Sequence, residues 1–188
     1  DVVWDYAGVR PLYDDKSEDA SAVTRDYVLD IEEFGNNAPF LSIYGGKITT
    51  SRKLGEHAVR KLAKYYEYKT GDWTESALLP GGDLIDADFE RFYTDMHKRY
   101  RALNETLLRR LCHAYGTRIT LLLGDGKTQP ELGQHFGAGL YELEANYLIS
   151  HEWATSADDI LWRRSKLGLH MSDVEKDAFT AWFDKTIG

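Results

Sequence analysis

The sequence predicts a mainly helical chain, with a C-terminal helical bundle preceded by a short α/β segment of strands and one helix. Three observations lead there. Strand-like apolar runs are confined to the first part of the chain, a glycine pair at Gly45-Gly46 marks a switch to helical spacing, and almost everything after Leu78-Leu79-Pro80-Gly81-Gly82-Asp83 has helical periodicity.

Within the first part, VVWDYAGV (Val2 to Val9), RDYVLDI (Arg25 to Ile31) and PFLSIY (Pro39 to Tyr44) read as strands, separated by the turn-rich or charged segments DDKSED and GNNAP. Leu54, Ala58, Leu62 and Tyr65 then recur at helical spacing, which predicts a helix from Lys47 to about Tyr66 directly after a strand. A boundary falls near residues 75 to 82, giving a division into 1–78 and 79–188. Beyond it, Asp86 to Tyr100 and Asn104 to Tyr115 read as helices. Asn104 suits an N-cap, and Gly116 suits a C-terminal stop. Thr117 to Leu123 predicts a short helix and Gly139 to Trp153 a longer one. Ser172-Asp173-Val174-Glu175 has capping-box spacing, which places the start of the last helix there.

A chain of 188 residues with 43% hydrophobic and 13% aromatic residues can fill a core. The net charge of −8 opposes a nucleic-acid surface and an extended polybasic membrane anchor, both of which need a local excess of Lys and Arg. Cys112 is the one cysteine, so there is neither a disulfide framework nor a thiolate metal cluster. That fits a reducing, cytoplasmic setting. The opening Asp1-Val2-Val3-Trp4 lacks a methionine and is already strand-like, as in a piece of a longer protein.

Nucleotide fingerprints are absent. Gly124-Asp125-Gly126 is followed by Gln129 where G-x-G-x-x-G needs glycine, and Gly45-Gly46-Lys47 lacks the upstream glycine of a Walker motif. His151-Glu152 begins like a zinc-protease helix, but Thr155 stands where the second histidine belongs, and no metal site is expected. G-x-S-x-G is missing as well. Leu161, Trp162 and Leu167 read as core rather than a cofactor face, and Arg163 and Arg164 as a solvated face.

Three cations stand out. Arg10 precedes Pro11, Arg25 opens a strand, and Lys47 sits at a glycine turn and helix start whose N–H groups attract anions. Arginine can grip phosphate with two parallel hydrogen bonds, and lysine supplies a compact charge. Pairing of Arg10 and Arg25 with Asp14, Asp15 or Asp26 is an equal alternative on spacing alone.

At these residues the sequence resembles the FAD-dependent glycerol-3-phosphate dehydrogenase family. The matching text is YAGVRPLYDD, TRDYVLDI, APFLSIYGGKITTSRKLGEHA, LLPGG, YGTR and HEWATSADDILWRRSKLGL, in the family's order along nearly the whole chain. The resemblance implies that residues 1–78 end an FAD and substrate domain and that 79–188 form the helical C-terminal domain. It makes Arg10 a substrate-facing, catalytic arginine and Arg25 a phosphate ligand. Lys47 lies between substrate and cofactor with a catalytic role, and Gly45, Gly46, Ile48 and Thr49 belong to the flavin contact. Ser51 departs from the family's usual tyrosine.

By the same resemblance, the full-length protein oxidises glycerol 3-phosphate to dihydroxyacetone phosphate through FAD and passes electrons to a quinone. It would sit peripherally on the inner face of the cell membrane, and a homo-oligomer is compatible with this. The fragment alone is expected to be inactive. An oxygen-using oxidase of the same family and a non-catalytic helical interaction module are the alternatives. The strand, glycine pair and helix with placed cations weigh against the module.

Overall fold

A computed structural model of the chain describes residues 2, 4–9, 13, 26–66, 71–125 and 128–187. It separates into two compact units, Asp1–Ala77 and Leu78–Gly188. As the sequence predicts, the chain is mainly helical with little strand.

In the first unit, β1 (Val28–Glu32) and β2 (Phe40–Tyr44) form an antiparallel hairpin with Val28 opposite Tyr44 and Glu32 opposite Phe40. Residues 4–9 are irregular, which corrects the strand expected there. A strand needs a partner for its backbone groups, and among the described residues β1 and β2 pair only with each other. After Gly45-Gly46 a short 3-10 turn (Ile48–Thr50) leads into α1 (Ser51–Leu62). Glu56, buried on α1, accepts hydrogen bonds from Arg52 (3.1 Å) and from the Thr74 hydroxyl, which ties the segment around Thr74 to the helix. Lys61 Nζ donates to the Leu29 carbonyl at 2.5 Å, fastening α1 to the hairpin.

The helical unit holds α2 (Phe89–Arg99), α3 (Glu105–Tyr115), α4 (Ile119–Leu123), α5 (Glu142–His151) and α6 (Asp173–Ile187). Its core gathers Leu108, Leu111, Ile119, Leu123, Leu148 and Phe179, each at most 2% exposed. Two predicted caps are present. Asn104 Oδ1 accepts from the N–H of Thr106 (3.0 Å) and Leu107 (3.2 Å). Ser172 and Glu175 bond reciprocally, with Ser172 N–H donating to Glu175 Oε2 at 2.8 Å and Glu175 N–H reaching Ser172 Oγ at 3.4 Å.

Three local features were not anticipated. α2 begins at Phe89 instead of Asp86 because Asp86 and Ala87 carry positive φ of 56° and 53°, and Asp88 takes the cap by accepting from Arg91 N–H at 3.0 Å. A small hairpin, β3 (His135–Gly137) with β4 (Leu140–Tyr141), occupies part of the segment expected to open a helix at Gly139. The chain at Asp159–Arg164 is a π-helix, a geometry sequence periodicity does not reveal.

Gly116 ends α3 as predicted, with its N–H on the Cys112 carbonyl, and its φ of 51° with ψ of −135° is open to glycine. It also lies against Gly81: a Cβ on Gly116 would stand 1.9 Å from the Gly81 carbonyl oxygen, while Thr117 N–H donates to that oxygen at 3.1 Å. The LLPGG and YGTR segments therefore meet through two glycine backbones. Gly116→Ala should lower stability by about 2–3 kcal/mol through strain and overlap together. Urea denaturation of the chain tests this, since a midpoint equal to that of the parent would show that the contact relaxes freely.

Candidate functional site

The strand, turn and helix from β2 to α1 bring five predicted residues into one continuous stretch. Gly45 and Gly46 have φ of 74° and 108°, so the chain leaves the strand through two successive left-handed positions that side chains resist. A Cβ on Gly46 would approach Leu54 Cδ1 at 3.1 Å and Tyr27 Cβ at 3.9 Å, so this glycine fits between the first turn of α1 and the residue leading into β1.

Lys47 takes the N-cap position with an extended backbone and supplies no side-chain cap. The neighbouring hydroxyls do not cap either. Thr50 Oγ1 donates back to the Lys47 carbonyl at 3.1 Å, and Ser51 Oγ donates to the Ile48 carbonyl at 2.8 Å. Among the described residues, the N–H groups of Ile48 and Thr49 therefore meet no acceptor. No described acid pairs with the Lys47 ammonium either. Ile48 is 92% exposed beside them. The result is an open helix start with free donors, one full positive charge and an apolar side chain, suited to a flat, partly anionic group.

Tyr27 borders this turn. Its hydroxyl is 2.6 Å from His57 Nδ1 on α1, and the rings meet edge-on at 5.8 Å. Tyr27 and His57 are 30 residues apart, and nothing in their spacing marks them as a pair. Arg10 and Arg25, the other two cations singled out by sequence, lie outside the described residues.

The remaining motifs serve the helical unit. Glu144, 2% exposed on α5, accepts from Arg110 Nη1 (2.9 Å), Arg110 Nη2 (2.6 Å) and Tyr115 Oη (2.7 Å). Arg110 Nη2 also donates to the Gly139 carbonyl at 2.7 Å, locking the β3–β4 turn onto α3. Burial first, and the adjacent Glu144 second, push the Tyr115 phenol far above its ordinary range, so it stays a donor. Arg118 Nε donates to Tyr147 Oη at 2.7 Å.

In DDILWRR, Leu161 and Leu167 are buried, in keeping with packing. Asp159 accepts from the N–H groups of Thr155 (2.9 Å) and Ser156 (3.1 Å), and the Thr155 bond first, with the Ser156 side chain and the Arg164 charge, holds its carboxyl well below the usual range. Arg163 and Arg164 are both exposed, as expected for a solvated face, and Arg164 is held there by hydrogen bonds as well. It is pinned by Asp159 at 2.9 Å and donates to the carbonyls of Glu152 and Trp153, closing a turn made necessary by the positive φ of Trp153, 54°. Cys112 is buried, which pushes its thiol up to about 11 and leaves it unreactive. These groups stabilise the unit and present no convergent nucleophile or base.

Residues 73–184 match the family model described as the C-terminal domain of alpha-glycerophosphate oxidase. The chain is 45% identical over 182 residues to the aerobic glycerol-3-phosphate dehydrogenase of Escherichia coli (strain K12), covering 97% of this chain and 36% of that protein. It is 43% identical over 184 residues to the D-erythritol 1-phosphate dehydrogenase of Brucella abortus (strain 2308), covering 98% and 36%. With the glycerol-3-phosphate dehydrogenase of Pseudomonas aeruginosa the identity is 45% over 172 residues, covering 92% and 33%. The chain thus spans about a third of the length of the curated relatives it matches. With a family model covering more than half of it, and the open GGK turn lying inside its near-complete alignment to glycerol-3-phosphate dehydrogenases, the chain belongs to the family of the alpha-glycerophosphate oxidase C-terminal domain.

Proposed function

We propose that this chain is the C-terminal part of a flavoprotein that oxidises glycerol 3-phosphate to dihydroxyacetone phosphate and passes the electrons through FAD to a quinone. The observation that carries this reading is the open helix start at Lys47 to Thr49, within a chain 45% identical over 182 residues to an aerobic glycerol-3-phosphate dehydrogenase. The residues present fit one edge of the cofactor. A Cβ on Gly46 would crowd Leu54 at 3.1 Å, the Ile48 and Thr49 N–H groups meet no acceptor among the described residues, and Ile48 offers an exposed apolar contact.

FAD, when bound, accepts the two electrons of the alcohol oxidation as a hydride. The chain's own contribution is electrostatic. Ile48 and Thr49 N–H groups would donate to the pyrimidine edge, and the Lys47 ammonium would offset the negative charge that arrives with the hydride. Arg10 and Arg25 would grip the substrate phosphate and its neighbouring oxygens. The hydroxyl proton goes to a base outside this set of residues. Among the described residues no helix is long and apolar enough to cross a membrane. Peripheral attachment to the inner face of the cell membrane and a homo-oligomeric state are parts of the same proposal.

The substrate phosphate provides the main test. Arg10→Met and Arg25→Met in the full-length protein should each leave thermal stability nearly unchanged and reduce kcat/KM for glycerol 3-phosphate by roughly tenfold to more than a hundredfold. Turnover of unphosphorylated glycerol should fall much less at whichever arginine holds the phosphate. Near-parental efficiency in both variants would reject the anion site. An exposed pairing with nearby acids is worth about 0–1 kcal/mol and would leave kinetics little changed.

The family model's description and one relative's name each favour a specific variation. The family model's description as an oxidase points to oxygen as acceptor, and hydrogen peroxide formed in step with substrate would select that reading. The erythritol phosphate relative points to a longer polyol phosphate, which comparison of kcat/KM on the two substrates decides. The isolated chain, lacking a G-x-G-x-x-G turn for the ADP half, should purify colourless. Stoichiometric flavin absorbance in the purified material would refute that expectation.

A further inference from the structure

We propose that Tyr27 and His57 act as a positioning pair that holds the Gly45-Gly46-Lys47 turn against α1. The inference rests on the reading of that turn as flavin-facing. Two successive glycines with φ of 74° and 108° do not select one conformation by themselves, and the Lys47 side chain has no described partner to hold it. The turn is instead confined on the side a Gly46 Cβ would occupy, where Leu54 Cδ1 stands 3.1 Å and Tyr27 Cβ 3.9 Å from that position.

Tyr27 does more than fill space. Its Cβ stands 3.9 Å from where a Gly46 Cβ would lie, while its hydroxyl, at the far end of the ring, is 2.6 Å from His57 Nδ1. Leu54 and His57 are three residues apart and share one face of α1. The side chain therefore braces the glycine turn at one end and the second turn of the helix at the other. A shift of the turn away from α1 must break the hydrogen bond or lose the Gly46 contact. Tyr27→Phe keeps the ring against Gly46 and deletes only the hydroxyl, which separates the tether from packing.

The test uses the full-length flavoprotein and two readouts. The first is hydrogen exchange at the amides of Thr50 and Ser51, which bond the Lys47 and Ile48 carbonyls. The second is the flavin midpoint potential. Tyr27→Phe and His57→Leu should each speed exchange about fivefold, the factor expected for one lost hydrogen bond. Both should also lower the potential. His57→Asn, which retains a hydrogen-bonding group, should recover part of each change. In a Lys47→Met background, Tyr27→Phe should add nothing further to the potential, because the charge it positions is gone.

Unchanged exchange in Tyr27→Phe overturns the tether, and an additive shift in the double variant overturns the positioning of Lys47. A shifted Lys47→Met beside an unshifted Tyr27→Phe overturns the positioning role alone. A Lys47→Met protein of unchanged potential overturns the flavin-facing reading and the positioning role with it.

Discussion

Lys47→Met in the full-length protein should lower the flavin midpoint potential and slow substrate-driven flavin reduction by about 10²–10³-fold, the range seen when one preorganised donor is removed from a site of developing charge. Methionine keeps most of the side chain's length and apolar stem, so the change is chiefly electrostatic. The fold should be spared. Lys47 is exposed and makes no ion pair with a described residue, so no structural contact is lost with the charge. The backbone donors of Ile48 and Thr49 remain, and a residual rate is expected from them. Lys47→Arg retains a charge but spreads it over a planar fork, and should recover the potential better than the rate. Redox titration and stopped-flow reduction are the measurements. A potential and a reduction rate both equal to the parent's would remove Lys47 from the site.

The backbone of the turn that carries this prediction is readable in the sequence because its glycines, lysine and helix start are consecutive. Two glycines, a lysine and a helix start within five residues describe backbone geometry directly, and free N–H groups follow from the absence of a capping side chain at Lys47. The caps at Asn104 and Ser172 were legible for the same reason, since donor and acceptor lie within three residues. Features that depend on distant partners were not legible. Gly81 and Gly116 look like ordinary turn glycines until their backbones are seen in contact. The β3–β4 hairpin has strands too short for alternation to register. Arg164 is the exposed charge that the sequence suggests, but its bonds to the carbonyls of Glu152 and Trp153 depend on the left-handed turn at Trp153 and are not legible. Tyr27 has the same character: its partner His57 is exposed, polar and on another element.

The buried cluster on α3 and α5 supplies the largest expected loss of stability. Glu144 was not singled out by sequence, because an acid in the first turn of a helix is ordinarily a solvated, dipole-favouring residue. Here it is 2% exposed and takes three donors, two from Arg110 and one from Tyr115. Glu144→Ala leaves Arg110 without its counter-ion, and Arg110 Nε already lacks a partner among the described residues. Breaking one side of a buried ion pair typically costs about 3–5 kcal/mol. The Arg110 side chain retains 26% exposure, so water can reach part of the orphaned charge and the loss should fall near the lower end, about 3 kcal/mol. Tyr115 loses its acceptor in the same step. Removing both charges tests the cause. Arg110→Met with Glu144→Leu replaces the pair by apolar volume and should be markedly more stable than Glu144→Ala, since no uncompensated charge remains. Urea denaturation of the 188-residue chain reads all three proteins under one condition. A loss under about 1 kcal/mol in Glu144→Ala would show that the cluster is solvated like a surface pair, and a double variant no more stable than the single one would place the loss in packing instead of charge.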